Sequence, residues 1–108
     1  MKDNDQQQHI TIEDEGRAVA SADLQSSADT HTISASMHIE SGHLPTGTRI
    51  RLVDAVVDRA WALQAERLQA SLPAGENEIL DRLRERCTDV DARAAGASCL
   101  TDARLEEE

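Results

Sequence analysis

The chain has 108 residues, enough for one domain with a single core. Its formal net charge of −10 makes nucleic acid and anionic membrane surfaces poor partners. Of its hydrophobic residues 16 are Ala, and Trp61 is the one aromatic ring, so the core must be thin. A thin core favours self-association, and a homodimer is expected. Ten of the eleven basic residues are Arg, a skew that matches a GC-rich coding sequence better than a binding site. Cys87 and Cys99 are too few for a disulfide framework and lack metal-ligand spacing. No apolar run is long enough to span a bilayer, and "MKDNDQQQHI" lacks the apolar core of a signal peptide. A cytoplasmic protein with no membrane association is the expectation.

Residues 1–8 are polar and Gln-rich and read as a disordered tail; residues 9–108 form the domain. "HITIE" alternates, with Ile10 and Ile12 on one face. After the turn "DEG", "RAVASADL" resumes with Ala18, Ala20, Ala22 and Leu24 on one face, which together predicts a hairpin. "HTISASMHIE" sets His31, Ile33, Ala35, Met37 and Ile39 against Thr32, Ser34, Ser36, His38 and Glu40, a half-buried strand.

From Thr48 to about Gln64 the period becomes helical. Arg51, Asp54 and Asp58 form a polar stripe. The broad remainder suggests a helix pressed on a sheet and on a partner as well. Trp61, near its end, is the expected anchor of a dimer interface. "ERLQASL" returns to alternation, and "PAG" breaks it. Glu76 to Cys87 predicts a second helix with Ile79, Leu80, Leu83 and Cys87 on a narrow stripe. In the last segment the apolar parity changes across "AAGA", which requires a bulge or a tight turn at Gly96. The expected fold is α/β, a mixed sheet in the order β-β-β-α-β-α-β, with strand–helix–strand units crossing over in the right-handed sense.

"SGHLPTGTRIRLVDAV" runs from strand through a Gly/Pro loop into a helix, the arrangement that can hold a phosphate. Gly42 and Gly47 allow close backbone approach, Thr46 and Thr48 offer hydroxyls, and Arg49 adds a fixed charge. The plainer reading is a strand-to-helix turn capped by Thr46 or Thr48. His38, His43 and Glu40 could gather into a metal or general-base cluster, although no spacing here is diagnostic and no metal is expected. "EDE" at 13–15 and "EEE" at 106–108 read as a solvated turn and tail, and "DRLRER" could dock a protein partner on its mixed-charge face.

In order, "DEGRAVASADL", "ISASMHIE", "GHLPTGTRIRLVDAV", "RLQASL" and "GENEILDRLRERC" resemble the later part of the GCN5-related N-acetyltransferase fold. The resemblance implies that the Gly/Pro loop cradles the coenzyme A pyrophosphate and that Asn77 matches the Asn that opens the helix after the fifth strand. It covers roughly residues 9–105 and lies in the order of elements more than in identities. In the family's phosphate loop an Arg or Gln, a Gly and a Gly or Ala recur; here Leu44, Gly47 and Arg49 stand in that frame, so the middle Gly alone is kept. The family's first strand and the two helices over the acceptor have no counterpart, and the chain has no Tyr to protonate a leaving thiolate. The expected function is therefore a non-enzymatic interaction or ligand-binding module without a cofactor. The alternative is an acyl-coenzyme A-dependent N-acyltransferase completed by dimerisation.

Overall fold

A computed structural model describes residues 6–27, 29–40 and 44–105. Three strands come first: β1 (Gln6–Asp14), β2 (Arg17–Ser27) and β3 (Thr32–Ile39). Helix α1 (Thr48–Ala62), strand β4 (Arg67–Pro73) and helix α2 (Asn77–Arg86) follow, then β5 (Thr88–Ala95) and β6 (Ser98–Arg104). The strands form one mixed sheet in the order β1-β2-β3-β4-β6-β5. The β3–β4 pair is parallel and the other adjacent pairs are antiparallel. Both crossovers, β3-α1-β4 and β4-α2-β5, advance in the same direction across the sheet, so the right-handed rule puts both helices on one face.

Alternation in the strands supplies that face. Ala20, Ala22 and Leu24 of β2, Ile33, Ala35 and Met37 of β3, Leu68, Ala70 and Leu72 of β4, and Ala103 of β6 are all buried. Leu52, Val53, Val56, Val57 and Ala60 of α1 and Ile79 and Leu83 of α2 close over them without measurable exposure. The breadth of α1's apolar surface is thus accounted for inside the chain, by the sheet on one side and α2 on the other. Of the polar stripe of α1, Asp54 and Asp58 lie at the seam between the helices, whereas Arg51 donates to the Glu13 carbonyl at 3.4 Å. Arg82 donates to Asp54 from Nε (2.9 Å) and Nη2 (3.1 Å), and Arg86 reaches Asp54 and Asp58 at 2.8 Å each. Trp61 lies seven residues beyond Asp54, hence on the same side of the helix, half-buried against the core.

The structure corrects several expectations. β1 begins at Gln6, so Gln6 to Gln8, assigned to the tail, pair with Ser26 to Leu24 in β2. Polar side chains do not exclude a strand whose neighbour supplies the backbone partners. Residues 1–5 of that tail lie outside the described residues. The β1–β2 register shifts after Ile12: Ile12 faces Ala20 and Glu13 faces Ala18. The residue skipped is Val19, which turns into the core (1 % exposed) while Ala18 is left out in solvent. His31 stands at φ 55 in the turn before β3 and not in the strand.

The last segment is two strands joined by a tight turn, which makes the element order β-β-β-α-β-α-β-β. Ala95 faces Ser98 across a two-residue connection, with Gly96 at φ 67. A positive φ at the first central residue alone is the hairpin turn that favours Gly there. A further bulge, with Asp89 at φ 52, lies between Thr88 and Asp91.

Three outcomes follow. A Cβ at Gly96 would meet no atom within 4 Å, so the penalty of Gly96→Val is one of backbone strain. It should lower unfolding free energy by roughly 1–3 kcal/mol in urea titrations. Removing residues 1–8 should lower the melting temperature by several degrees, because it deletes the Gln6–Gln8 pairing and the 2.7 Å bond from Arg59 to Gln8. The hydrogen bonds from Arg82, more than those from Arg86, hold the Asp54 carboxyl below its ordinary pKa despite partial burial. Its contribution is therefore present above about pH 4 and is lost as pH falls through the lowered folded value. Asp54→Asn should flatten the acid limb of the stability–pH curve and leave the alkaline limb unchanged.

Candidate functional site

β3 and β4 pair over only part of their length. Their register runs from Thr32↔Arg67 to Ser36↔Ser71 and stops, although β3 continues to Ile39 and β4 to Pro73. Beyond Ser36 and Ser71 each strand keeps its other neighbour: Met37 to Ile39 stay on β2, and Leu72 and Pro73 on β6. The sheet therefore opens at the carboxyl ends of its parallel pair, where both helices begin. In open α/β sheets this is where ligands bind, because helix N-termini present amides without intrahelical acceptors there.

The residues of the Gly/Pro loop divide at this opening. Gly47 is the N-cap of α1 at φ 86, and a Cβ there would meet nothing within 4 Å, so the backbone is accessible from outside. Thr46 is exposed. Thr48 is buried, and its hydroxyl donates back to the Pro45 carbonyl at 2.8 Å; it closes the turn and neither caps the helix nor faces a ligand. Arg49 is bound to Glu76, the N-cap residue of α2, through Nε to Oε1 and through Nη2 to Oε2 at 3.3 Å. That bidentate pair ties the two helix starts together. It also removes Arg49 as a free cation, because its charge is answered by a carboxylate that itself sits well at a positive helix end. Asn77 is the first residue of α2, exposed, with its amide bonded to the Gly75 carbonyl at 2.9 Å. Gly42, with His43, lies outside the described residues.

The sheet face away from the helices carries a hollow of about 910 Å³. Gln7, Gln25, Ser34, Ser36, Gln69 and Ser71 form its floor, with Asp91, Arg93, Leu100 and Asp102 on one side and His9 and Asp23 on the other. Since Ser36 and Ser71 are the last paired residues of β3 and β4, the hollow starts where the sheet opens. Asp102 accepts from Arg67 Nη2 at 2.8 Å through Oδ2. Its Oδ1 is shielded from solvent and has no partner among the described residues, an acceptor that a donor would satisfy.

Chain pattern alone missed the cluster beside this hollow. Asp23 lies between two histidines, with His9 Nδ1 at 2.5 Å from Oδ1 and His38 Nε2 at 3.5 Å from Oδ2. The hydrogen bond from His9, foremost, holds the Asp23 carboxyl below its usual range. The signal was present: His9, Asp23 and His38 share the polar parity of three adjacent strands, but only the register brings them level (His9↔Asp23, with Ser21↔His38 two residues away). The conceivable grouping of His38 and Glu40 with His43 includes a residue outside those described; among the described residues no cluster of three or more His, Cys, Asp or Glu is placed to hold a metal ion. Cys87 is buried at the end of α2, and burial raises its thiol pKa, as for an inert small hydrophobe.

No family model and no curated protein matches the chain. Solved structures do. A ribosomal-protein-alanine N-acetyltransferase from Brucella melitensis superposes with a TM-score of 0.63 at 15% identity, over 89% of this chain and 67% of its own. A GNAT-family acetyltransferase from Streptococcus pneumoniae gives 0.66 at 12%, over 94% and 67%. A phosphinothricin acetyltransferase from Sinorhizobium meliloti, in complex with acetyl-coenzyme A, gives 0.65 at 13%, over 94% and 62%. The fold of this chain is the N-acetyltransferase fold, and the chain spans about two thirds of the length of these proteins.

Proposed function

We propose that the chain is an acyl-coenzyme A-dependent N-acyltransferase domain, working as a homodimer in the cytoplasm. The observation that carries this reading is the opening between β3 and β4 at the two helix starts, in a fold shared with acetyltransferases. The backbone fits an anionic cofactor: Gly47 leaves the start of α1 accessible, and the first-turn amides there supply donors. Coenzyme A, when bound, would carry the acyl group as a thioester. Gly47 and the amides of Arg49 and Ile50 would hold its phosphates, with Thr46 and Asn77 at the rim. His38 stands on the stretch of β3 that leaves β4. Its Nε2 lies 3.5 Å from Asp23, and its imidazole would be the group to take a proton from an incoming ammonium.

A second reading, the non-enzymatic ligand-binding module, is favoured by two observations. The Glu76 carboxylate stands at the helix starts, where it would repel a phosphate, and this chain carries no Tyr to protonate a leaving thiolate.

Thermal shift with coenzyme A and with acetyl-coenzyme A separates the readings. A ligand at a hundredfold excess over its dissociation constant should stabilise by about 2.7 kcal/mol. Glu76→Gln, which frees Arg49, should enlarge that response. No response from either protein would overturn cofactor binding. Stabilisation without thiol release from acetyl-coenzyme A across a panel of amines would leave the module reading. Thiol release that His38→Gln abolishes, at unchanged cofactor affinity, is the outcome expected for the enzyme.

A further inference from the structure

Arg49 stands where a cation is poorly placed. It is the second residue of α1, in a first turn whose free amides already carry partial positive charge, and that turn holds no acidic residue to answer it. The answer comes from the other helix start, where Glu76 accepts from Arg49 through both carboxylate oxygens. At 18% exposure this carboxylate is the least exposed of those ion-paired among the described residues, and the guanidinium is 29% exposed. Glu76 forgoes a local role in making the pair. It is the N-cap residue of α2, yet its side chain makes no capping bond there. The amides of Glu78 and Ile79, which an N-cap side chain ordinarily satisfies, have no acceptor within the helix.

A guanidinium and two positive helix ends thus meet at one carboxylate, and each partner of the pair has a second partner open to it. We infer that the Arg49–Glu76 pair is a latch on the cofactor site: Glu76 holds the place of an anion, and a phosphate opens the pair by taking Arg49 while Glu76 turns back to cap α2. The exchange leaves every charge answered. In the closed form the guanidinium rests on Glu76; in the open form it rests on the phosphate, and the Glu76 carboxylate accepts from the α2 amides. What the exchange gives up is the tie between the two helix starts. A latch of this kind tunes affinity without touching the ligand, because apparent binding is the intrinsic binding reduced to the fraction of molecules in which the latch is open.

This inference rests on the cofactor binding proposed above, and two probes keep the two apart. Calorimetric titration with inorganic pyrophosphate and with coenzyme A compares the wild type with Glu76→Gln, Glu76→Asp and the double variant Glu76→Gln with Arg49→Gln, each checked for folding by circular dichroism. Asp keeps the negative charge and suits an N-cap, but it is one methylene too short to reach Arg49 as Glu does. Glu76→Gln and Glu76→Asp should therefore both raise pyrophosphate affinity about tenfold, and the double variant should lose the gain. A gain in Glu76→Gln alone makes Glu76 a mere source of repulsion and overturns the latch. A gain that survives the loss of Arg49 overturns it too. Where a Gln variant does not fold, Glu76→Asp decides by itself, its gain upholding the latch and unchanged affinity overturning it. Coenzyme A binding by the wild type with no gain in either Glu76 variant overturns the latch and leaves the proposed function standing. A gain for pyrophosphate with no binding of coenzyme A by any variant upholds the latch and overturns the cofactor. Silence of every protein toward both probes overturns both.

Discussion

A chain whose apolar stock is dominated by Ala, Val, Leu and Ile, with one indole and no Phe or Tyr, can cover one face of a six-stranded sheet but not two. The remaining arrangement follows from that limit. Both helices are needed on the same side, and the crossover rule puts them there. α1 and α2 then lie side by side, and the polar residues at their junction have to answer one another, as Asp54 and Asp58 do with Arg82 and Arg86. The other face is left to Ser, Gln, His, Asp and Arg. Antiparallel sheets tolerate such a face because water satisfies it. What is unusual is that it extends over the parallel β3–β4 pair as well.

Ser36 and Ser71, the last paired residues of β3 and β4, also line the polar hollow, so the opening of the sheet begins at the edge of the hollow. The two regions differ in chemistry. At the helix starts the donors are backbone amides, and the pair of charged side chains there, Arg49 and Glu76, is spent on holding α1 to α2. In the hollow the polar groups are side chains, with three aspartates against one arginine. A negatively charged group suits the first region and a positively charged or neutral polar one the second.

Much of this was readable in the chain. Ile33, Ala35 and Met37 alternate without interruption, and the regular period of α1 and α2 placed both helices within two residues of their ends. The exceptions came from places where one strand gains a residue on its neighbour. Val19 could not be assigned inward from "RAVASADL", since the alternation by itself points to Ala18. The partner that displaces it is in another strand. The Gly96 turn was half legible: parity demanded an interruption, yet a bulge and a hairpin leave the same mark until the pairing of Ala95 with Ser98 is known. Arg49 looked available because its partner, Glu76, is 27 residues away. The Asp23 cluster stayed hidden for the same reason, being defined by register across three strands.

The open face also separates two properties that most small domains must negotiate together. Residues such as Ser34, Gln69 and Gln25 touch the hollow and contribute nothing to the cluster of buried apolar side chains on the opposite side of the same strands. Their replacement alters what the surface recognises while folding is decided elsewhere. A lineage carrying this domain can drift in specificity at little risk to its fold, and a designer can treat one side of the sheet as a page to be rewritten.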